Sequence, residues 1–414
     1  MGALGRVSRF ENAARKEGFL EKFKKNNQGK LMGNTRMLMA CLLAALTTAA
    51  AIIILRQLAE PLGLVDRPND RKHHDGNVPL IGGLAMIAGL LAGAAWYGQF
   101  HHFAQILLGT SLVLAVMGTL DDRHDLSVRV RLAVQTAAIL TVIATTGVYI
   151  HTLGHIFGYQ LELGWLGIPL TVAAVIGLLN AFNMMDGIDG LAGGLTLVSI
   201  GAIALFTRAA PLHGSLVMMA LLATAVLPYL AVNLGFLGRK IFMGDAGSMV
   251  VGYLLAWTLI HLSQEPGTRL SPVDVLWCVA LPVLDTLAVM YRRLREGKSP
   301  FKPDRGHIHH ILLRAGLGSR ATLIALIALA AAIAFLGNVA GSLGAGAGSN
   351  LAAFCILMGV YTATVTRIWA RQEARHVQTT RTLAANDPDI TLIGTARNTC
   401  INRVQSEARS SVAE

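Results

Sequence analysis

Eleven apolar runs punctuate this chain, and a run of roughly 15–22 such residues fits a bilayer better than a soluble core. They fall near 37–55, 79–97, 103–120, 132–150, 165–182, 191–206, 215–234, 248–262, 275–290, 321–342 and 350–369. Of 414 residues, 53% are hydrophobic and 14% charged, and the mean hydropathy is +0.53. The runs are continuous rather than alternating, which argues against a barrel. The expected fold is an all-α integral membrane protein: a bundle of about eleven transmembrane helices with cytoplasmic active-site loops. One membrane domain spans 37–370, between a basic N-terminal tail (1–36) and a polar C-terminal tail (371–414) read as mostly mobile. Cys41, Cys278, Cys355 and Cys400 are scattered, without metal or redox spacing.

A net charge of +11 could suggest nucleic acid, but the cations are distributed by topology. Loops after odd-numbered runs carry 17 Lys and Arg, and loops after even-numbered runs carry 2. The positive-inside rule puts the odd loops in the cytoplasm, the N-terminus outside and the C-terminus inside. The nine Lys and Arg of residues 1–36 oppose this; either the rule is overridden there or Met32 or Met37 is the true start. No cleavage site closes the first run convincingly.

Charged groups at membrane depth are costly and usually mark a site. The richest cluster is Asn180-Ala-Phe-Asn183-Met-Met-Asp186-Gly-Ile-Asp189-Gly-Leu191, between two runs. Asn183 and Asp186 are three apart, so one helical face could offer both to a metal or phosphate. Gly187 and Gly190 permit a turn, and the next helix start favours an anion. A plain hairpin would need neither carboxylate. Asp121-Asp122, after the third run, could hold Mg²⁺ or take a proton, with Arg129, Arg131 and Gln135 downstream; a solvated turn is the plain alternative. Gly244-Asp245-Ala-Gly-Ser248 enters the eighth run, with Asn233 closing the seventh. Asp245 there is either a ligand or a helix cap.

The loop after the ninth run is long and basic, and holds Asp304-Arg305-Gly306-His307-Ile308-His309-His310. Its histidines and arginine suit a diphosphate. Zinc competes, but no Cys or acidic partner has suitable spacing. Asp66–His74 adds cations before Pro79 and Gly82-Gly83. Asp285, inside the ninth run, wants a partner such as Arg292 or Arg293. By loop parity all these clusters face one side, where a lipid phosphate and a soluble nucleotide can meet. Phosphoryl transfer needs positioning and charge neutralisation rather than covalent help from the protein. A secondary transporter is the rival class, but its acids should lie near the midplane between repeats, and no repeat is visible.

Taken in order, Asp121-Asp122, Asn180–Leu191, Gly244–Ser248 and His307–His310 resemble the motifs of the polyprenyl-phosphate N-acetylhexosamine-1-phosphate transferases, over about residues 37–370. The interrupted histidine run is similar to the branch that moves GlcNAc-1-phosphate from UDP-GlcNAc to undecaprenyl phosphate and releases UMP, initiating a lipid-linked glycan such as O antigen. UDP-GalNAc or a MurNAc-pentapeptide donor is the alternative. The resemblance implies Asp245 as a Mg²⁺ ligand (Mn²⁺ as substitute), with Asn183 shaping the metal and nucleotide site. It implies Asp121, supported by Asp122, as the group that activates the lipid phosphate, with Asp186 and His309 also catalytic. Lys72, Asn183, Asp189, Asn233, Arg305, His307 and His310 would bind substrate. The implied partners are undecaprenyl phosphate, a UDP-N-acetylhexosamine and the lipid bilayer of a bacterial inner membrane; nucleic acid is not among them, and a homodimer is allowed.

Overall fold

The computed structural model describes residues 33–66, 77–208, 214–265, 270–299, 304 and 306–386. The protein is an all-α integral membrane protein. Its helices are α1 (Gly33–Leu58), α2 (Gly82–Tyr97), α3 (His102–His124), α4 (Val128–Thr146), α5 (Gly167–Met185), α6 (Leu191–Phe206), α7 (Ser215–Asn233), α8 (Gly244–Gln264), α9 (Asp274–Cys278), α10 (Ala280–Arg295), α11 (Ile308–Arg314), α12 (Ser319–Ser342) and α13 (Ala347–Asn386). Eight are long and apolar enough to cross a membrane, while α2 and α6 are shorter apolar helices of 16 residues each.

The ninth expected span is not one helix. The chain breaks at Val279 (φ −125°, ψ 29°) between α9 and α10. Pro282 lies one turn later and has no N–H to extend α9 into α10. α10 buries Leu281, Leu284, Asp285, Ala288, Val289, Arg292 and Arg293, a stripe at helical spacing that mixes apolar and charged groups. The tail expectation also needs correction, because α13 runs 40 residues to Asn386, well past 370. Residues 371–386 are rich in Ala, Arg and Gln; such residues prolong a helix already nucleated in the membrane.

α8 is the central helix, apolar around most of its circumference and flanked by α3, α5, α2 and α7. Of its most apolar 18 residues, 89% are buried, as expected for a helix with no single wet face. Small residues let its neighbours approach. A Cβ on Gly118 of α3 would lie 2.5 Å from Ala246 Cα and 2.6 Å from Ala246 N, so glycine is needed there for backbone contact.

Two short antiparallel ribbons interrupt the helices. β1 (Val65–Asp66) pairs with β2 (Val78–Pro79) in the register Val65↔Pro79 and Asp66↔Val78. Leu80 bridges Phe242 in parallel, and the N–H groups of Gly82 and Gly83 donate to Phe242 O (2.9 Å) and Met243 O (2.8 Å). The start of α2 is thereby laced to the start of α8. β3 (Thr152–Ile156) pairs with β4 (Tyr159–Glu162) at the other end of the bundle, where Gln264 Oε1, at the end of α8, accepts the N–H groups of His151 and Thr152. The molecule therefore has a hairpin face, and an opposite face where α3, α5 and α7 end and α2, α6 and α8 begin.

Gly118→Ala should cost about 1–3 kcal/mol by overpacking, while Gly109→Ala, on the same helix with no atom within 4 Å of the added Cβ, should be neutral or slightly stabilising. Thermal unfolding in detergent checks the opposite signs.

Candidate active site

The face opposite the hairpin collects the acids. α3 ends at His124, with Asp125 in the left-handed region (φ 48°) turning the chain away. Its last turn presents Asp121 and Asp122. Asp121 is 5% exposed. Its Oδ1 accepts the Leu126 N–H and its Oδ2 accepts Arg131 Nη1, both at 2.8 Å. Both oxygens are thus engaged by the protein, and Asp121 holds Arg131 in place. Arg131 Nη1 also lies 3.7 Å from Asp245 Oδ2.

Asp122 faces α8. Its Oδ1 accepts the Asp245 N–H at 2.9 Å and its Oδ2 the Ala246 N–H at 3.4 Å. A carboxylate is stabilised at a helix start by the free N–H groups and the dipole. Gly244 (φ +72°) turns the chain into α8, and a Cβ there would lie 2.6 Å from Asp122 Oδ2. The glycine before Asp245 is therefore required twice, by backbone angle and by space.

Asp186 caps α5, its N–H donating to Asn183 O at 3.2 Å. Burial, then the charges of Asp245, Asp122 and Asp189, push its carboxyl well above the usual carboxylate range. Sequence-distant acids have been brought within one electrostatic neighbourhood. Asp189 pairs with Lys240 at 2.5 Å. Asn233 is buried, and both ends of its amide are engaged: Oδ1 accepts the Gly190 N–H (2.6 Å) and Nδ2 donates to Ile241 O (2.8 Å). Asn233 thereby braces the turn after α5 against the approach to α8.

The histidine loop joins this group through Gly187, where a Cβ would collide with the His309 ring. His309 is 1% exposed. Neither of its ring nitrogens has a hydrogen-bond partner. Burial, with His310 and His307 beside it, pushes it down to about 3, so it is a neutral imidazole at physiological pH. Its ring centroid lies 6.0 Å from that of His307 and 4.2 Å from that of His310. Arg292 and Arg293 bind Asp304, each at 2.7 Å, rather than Asp285. Burial works to raise the Asp304 carboxyl, but Arg293, Arg292 and the Gly306 N–H outweigh it and hold it below the usual range. Asp285 meets His307 instead (2.7 Å). Lys72 and Arg305 lie outside the described residues.

Sequence reasoning passed over Arg131 as a bridge between two acids; the cation pattern after Asp121-Asp122 was the available signal. Tyr229, whose ring closes on Gly82 beside Asp186 and Asp189, gave no signal inside an apolar run. Among the described residues no three His, Cys, Asp or Glu side chains are arranged to hold a metal ion. The site's donors are chiefly carboxylate oxygens, which suit a hard cation that takes only one or two carboxylates.

Residues 104–263 match glycosyl transferase family 4, a stretch that includes every acid from Asp121 to Asp245 and stops before the histidine loop. The chain is 43% identical to the undecaprenyl-phosphate alpha-N-acetylglucosaminyl 1-phosphate transferase of Yersinia pestis over 299 residues, 71% of this chain and 81% of that protein. It is 42% identical over 298 residues to the protein of that name from Escherichia coli K12, with the same coverage, and 39% identical over 323 residues to the one from Haemophilus influenzae, covering 77% of this chain and 91% of that protein. The chain is a membrane transferase, and it belongs to glycosyl transferase family 4.

Because folding raises the Asp186 carboxyl, its stabilisation is full below the ordinary carboxylate value of about 4 and is lost as pH rises toward the raised value. In chelator, the thermal midpoint should fall as pH rises above about 4, and Asp186→Asn should flatten that slope. Thermal scans of both proteins at matched ionic strength check this.

Proposed function

We propose that this protein transfers GlcNAc-1-phosphate from UDP-GlcNAc to undecaprenyl phosphate, releasing UMP and initiating a lipid-linked glycan such as O antigen. The observation that carries the reading is the convergence of Asp122, Asp186 and Asp245, from three helices, on one face of a membrane bundle, in a chain so similar to transferases of that name. The loop cations give that face a cytoplasmic orientation in a bacterial inner membrane, where a nucleotide sugar and a lipid phosphate are both in reach.

The donor set fits Mg²⁺, with Mn²⁺ as a substitute, and Asp245 with Asn183 and Asp186 are the residues that would hold it. Bound there, the ion supplies positive charge to the diphosphate oxygens of the donor. The remaining work belongs to the chain. Arg131, fixed by Asp121, stands beside Asp245 with a planar fork suited to phosphate oxygens. A phosphate monoester is largely dianionic near neutral pH, so the acceptor needs orientation more than proton removal, consistent with the engaged oxygens of Asp121. An acceptor phosphate oxygen bonds to the sugar-bearing phosphorus of the donor. The bond from that phosphorus to the bridging oxygen breaks, and UMP leaves with the electron pair. His309, neutral and buried, offers an uncharged ring N–H to an oxygen of the donor and excludes water from the Gly187 side.

Purified protein with undecaprenyl phosphate should release UMP from UDP-GlcNAc in a Mg²⁺-dependent way, and faster than from UDP-GalNAc or UDP-MurNAc-pentapeptide. A preference for either competitor would reassign the sugar. Asp245→Asn should lower the rate about 100-fold or more while leaving the thermal midpoint in chelator no lower than that of the parent; a rate near that of the parent would remove the metal assignment. His309→Ala should slow transfer and leave the Mg²⁺ requirement intact, as read from metal titrations of the rate.

A further inference from the structure

Asp285 is fully buried in α10, with 0% exposure, and carries a full set of donors. Its Oδ2 accepts His307 Nδ1 at 2.7 Å. Its Oδ1 accepts the Ile308 N–H at 2.9 Å and the Tyr361 hydroxyl at 3.0 Å. A carboxylate without a charged or hydrogen-bonding partner at this depth would cost several kcal/mol, so three donors converging on one acid define a built arrangement. Because Asp285 accepts, His307 carries its proton on Nδ1 and turns Nε2 away from α10. The Ile308 N–H is the first backbone donor of α11, so the same carboxylate fixes both the ring and the start of the helix that bears His309.

The third donor comes from the last membrane helix. Beyond Tyr361, α13 continues to grip the loop: Gln372 Nε2 donates to Ile311 O at 3.0 Å, and Trp369 lies under the guanidinium groups of Arg292 (4.4 Å) and Arg314 (4.7 Å). These contacts hold the far side of α11 while Asp285 holds its start.

We propose that Asp285 is the positioning residue of the transfer reaction: it sets the tautomer of His307 and, with Tyr361, seats the α11 histidines over Gly187. It acts through His307 and touches no substrate itself. The arrangement is analogous to the acid that orients a metal-bound imidazole, where loss of the acid typically costs about 10–100-fold. The inference rests on the transferase reading above for its kinetic test.

The experiment combines kinetics with hydrogen–deuterium exchange on the full chain in detergent. Asp285→Asn should lower kcat/KM for UDP-GlcNAc about 10–100-fold and leave the KM for undecaprenyl phosphate unchanged. Tyr361→Phe, which removes one donor and keeps the carboxylate, should lower the same parameter by a smaller factor. In a His307→Gln background Asp285→Asn should add little further loss, because the two residues act as one unit. Amide exchange over residues 308–314 should rise in Asp285→Asn and stay near the parent level over residues 121–135.

An equal additional loss in the His307→Gln background, or a raised KM for the lipid, would assign Asp285 a general structural role and overturn the proposal. So would parent-like kinetics in Tyr361→Phe, the arm that decides the matter if Asp285→Asn does not fold. If the parent protein releases no UMP from UDP-GlcNAc, the substrate reading has failed. The exchange arm then judges the anchoring by itself, and unchanged exchange over 308–314 would sink it.

Discussion

The clasp between Asp122 and the first N–H groups of α8 is the contact on which the active face depends. It joins the end of one membrane helix to the beginning of the most buried one, and it aligns Asp122 with Asp245, two acids of the candidate site. The backbone N–H groups of Asp245 and Ala246 answer the Asp122 carboxylate and fix its place. Arg131 stands beside Asp121 and Asp245, and Asp186 lies in a field of like charge. Among the described residues, Asp122, Asp186, Asp189 and Asp245 thus share one electrostatic neighbourhood at the end of the bundle.

Around this clasp the other contacts act as stays. Asn233 ties the turn after α5 to the approach to α8, the start of α2 is laced to Phe242 and Met243, and Arg292 with Arg293 secures the histidine loop through Asp304. Several side chains that look functional by residue type are therefore parts of the frame. Polar groups at the edge of a bilayer carry a double burden, since each must either meet a partner or be aimed at a ligand.

The membrane architecture was legible because it is encoded locally. Each apolar run falls on a helix, the run at 275–290 on two, and the uneven distribution of Lys and Arg among loops already placed the polar clusters on a common face. The acids near the site could be named for the same reason, since Asp186 and Asp245 stand at helix boundaries flanked by glycine. Partner choice was not legible. Asp285 looked closer in sequence to Arg292 and Arg293 than to His307, yet the helical turn sends both arginines to Asp304. The double use of Asn233, and the tie of Asp121 to Arg131, likewise appear only once distant segments are packed. The strands β1 (Val65–Asp66), β2 (Val78–Pro79), β3 (Thr152–Ile156) and β4 (Tyr159–Glu162) are too short to leave a periodic signal.

The hold of α13 on the histidine loop has a consequence for how the protein is made. Tyr361, Trp369 and Gln372 lie in α13, which is synthesised after the other described elements. A nascent chain halted after α12 would already have its carboxylates gathered, its central helix enclosed and Asp285 against His307, but would lack the contacts that α13 makes to Asp285, Ile311, Arg292 and Arg314. The histidine loop therefore gains its last support only when α13 is made.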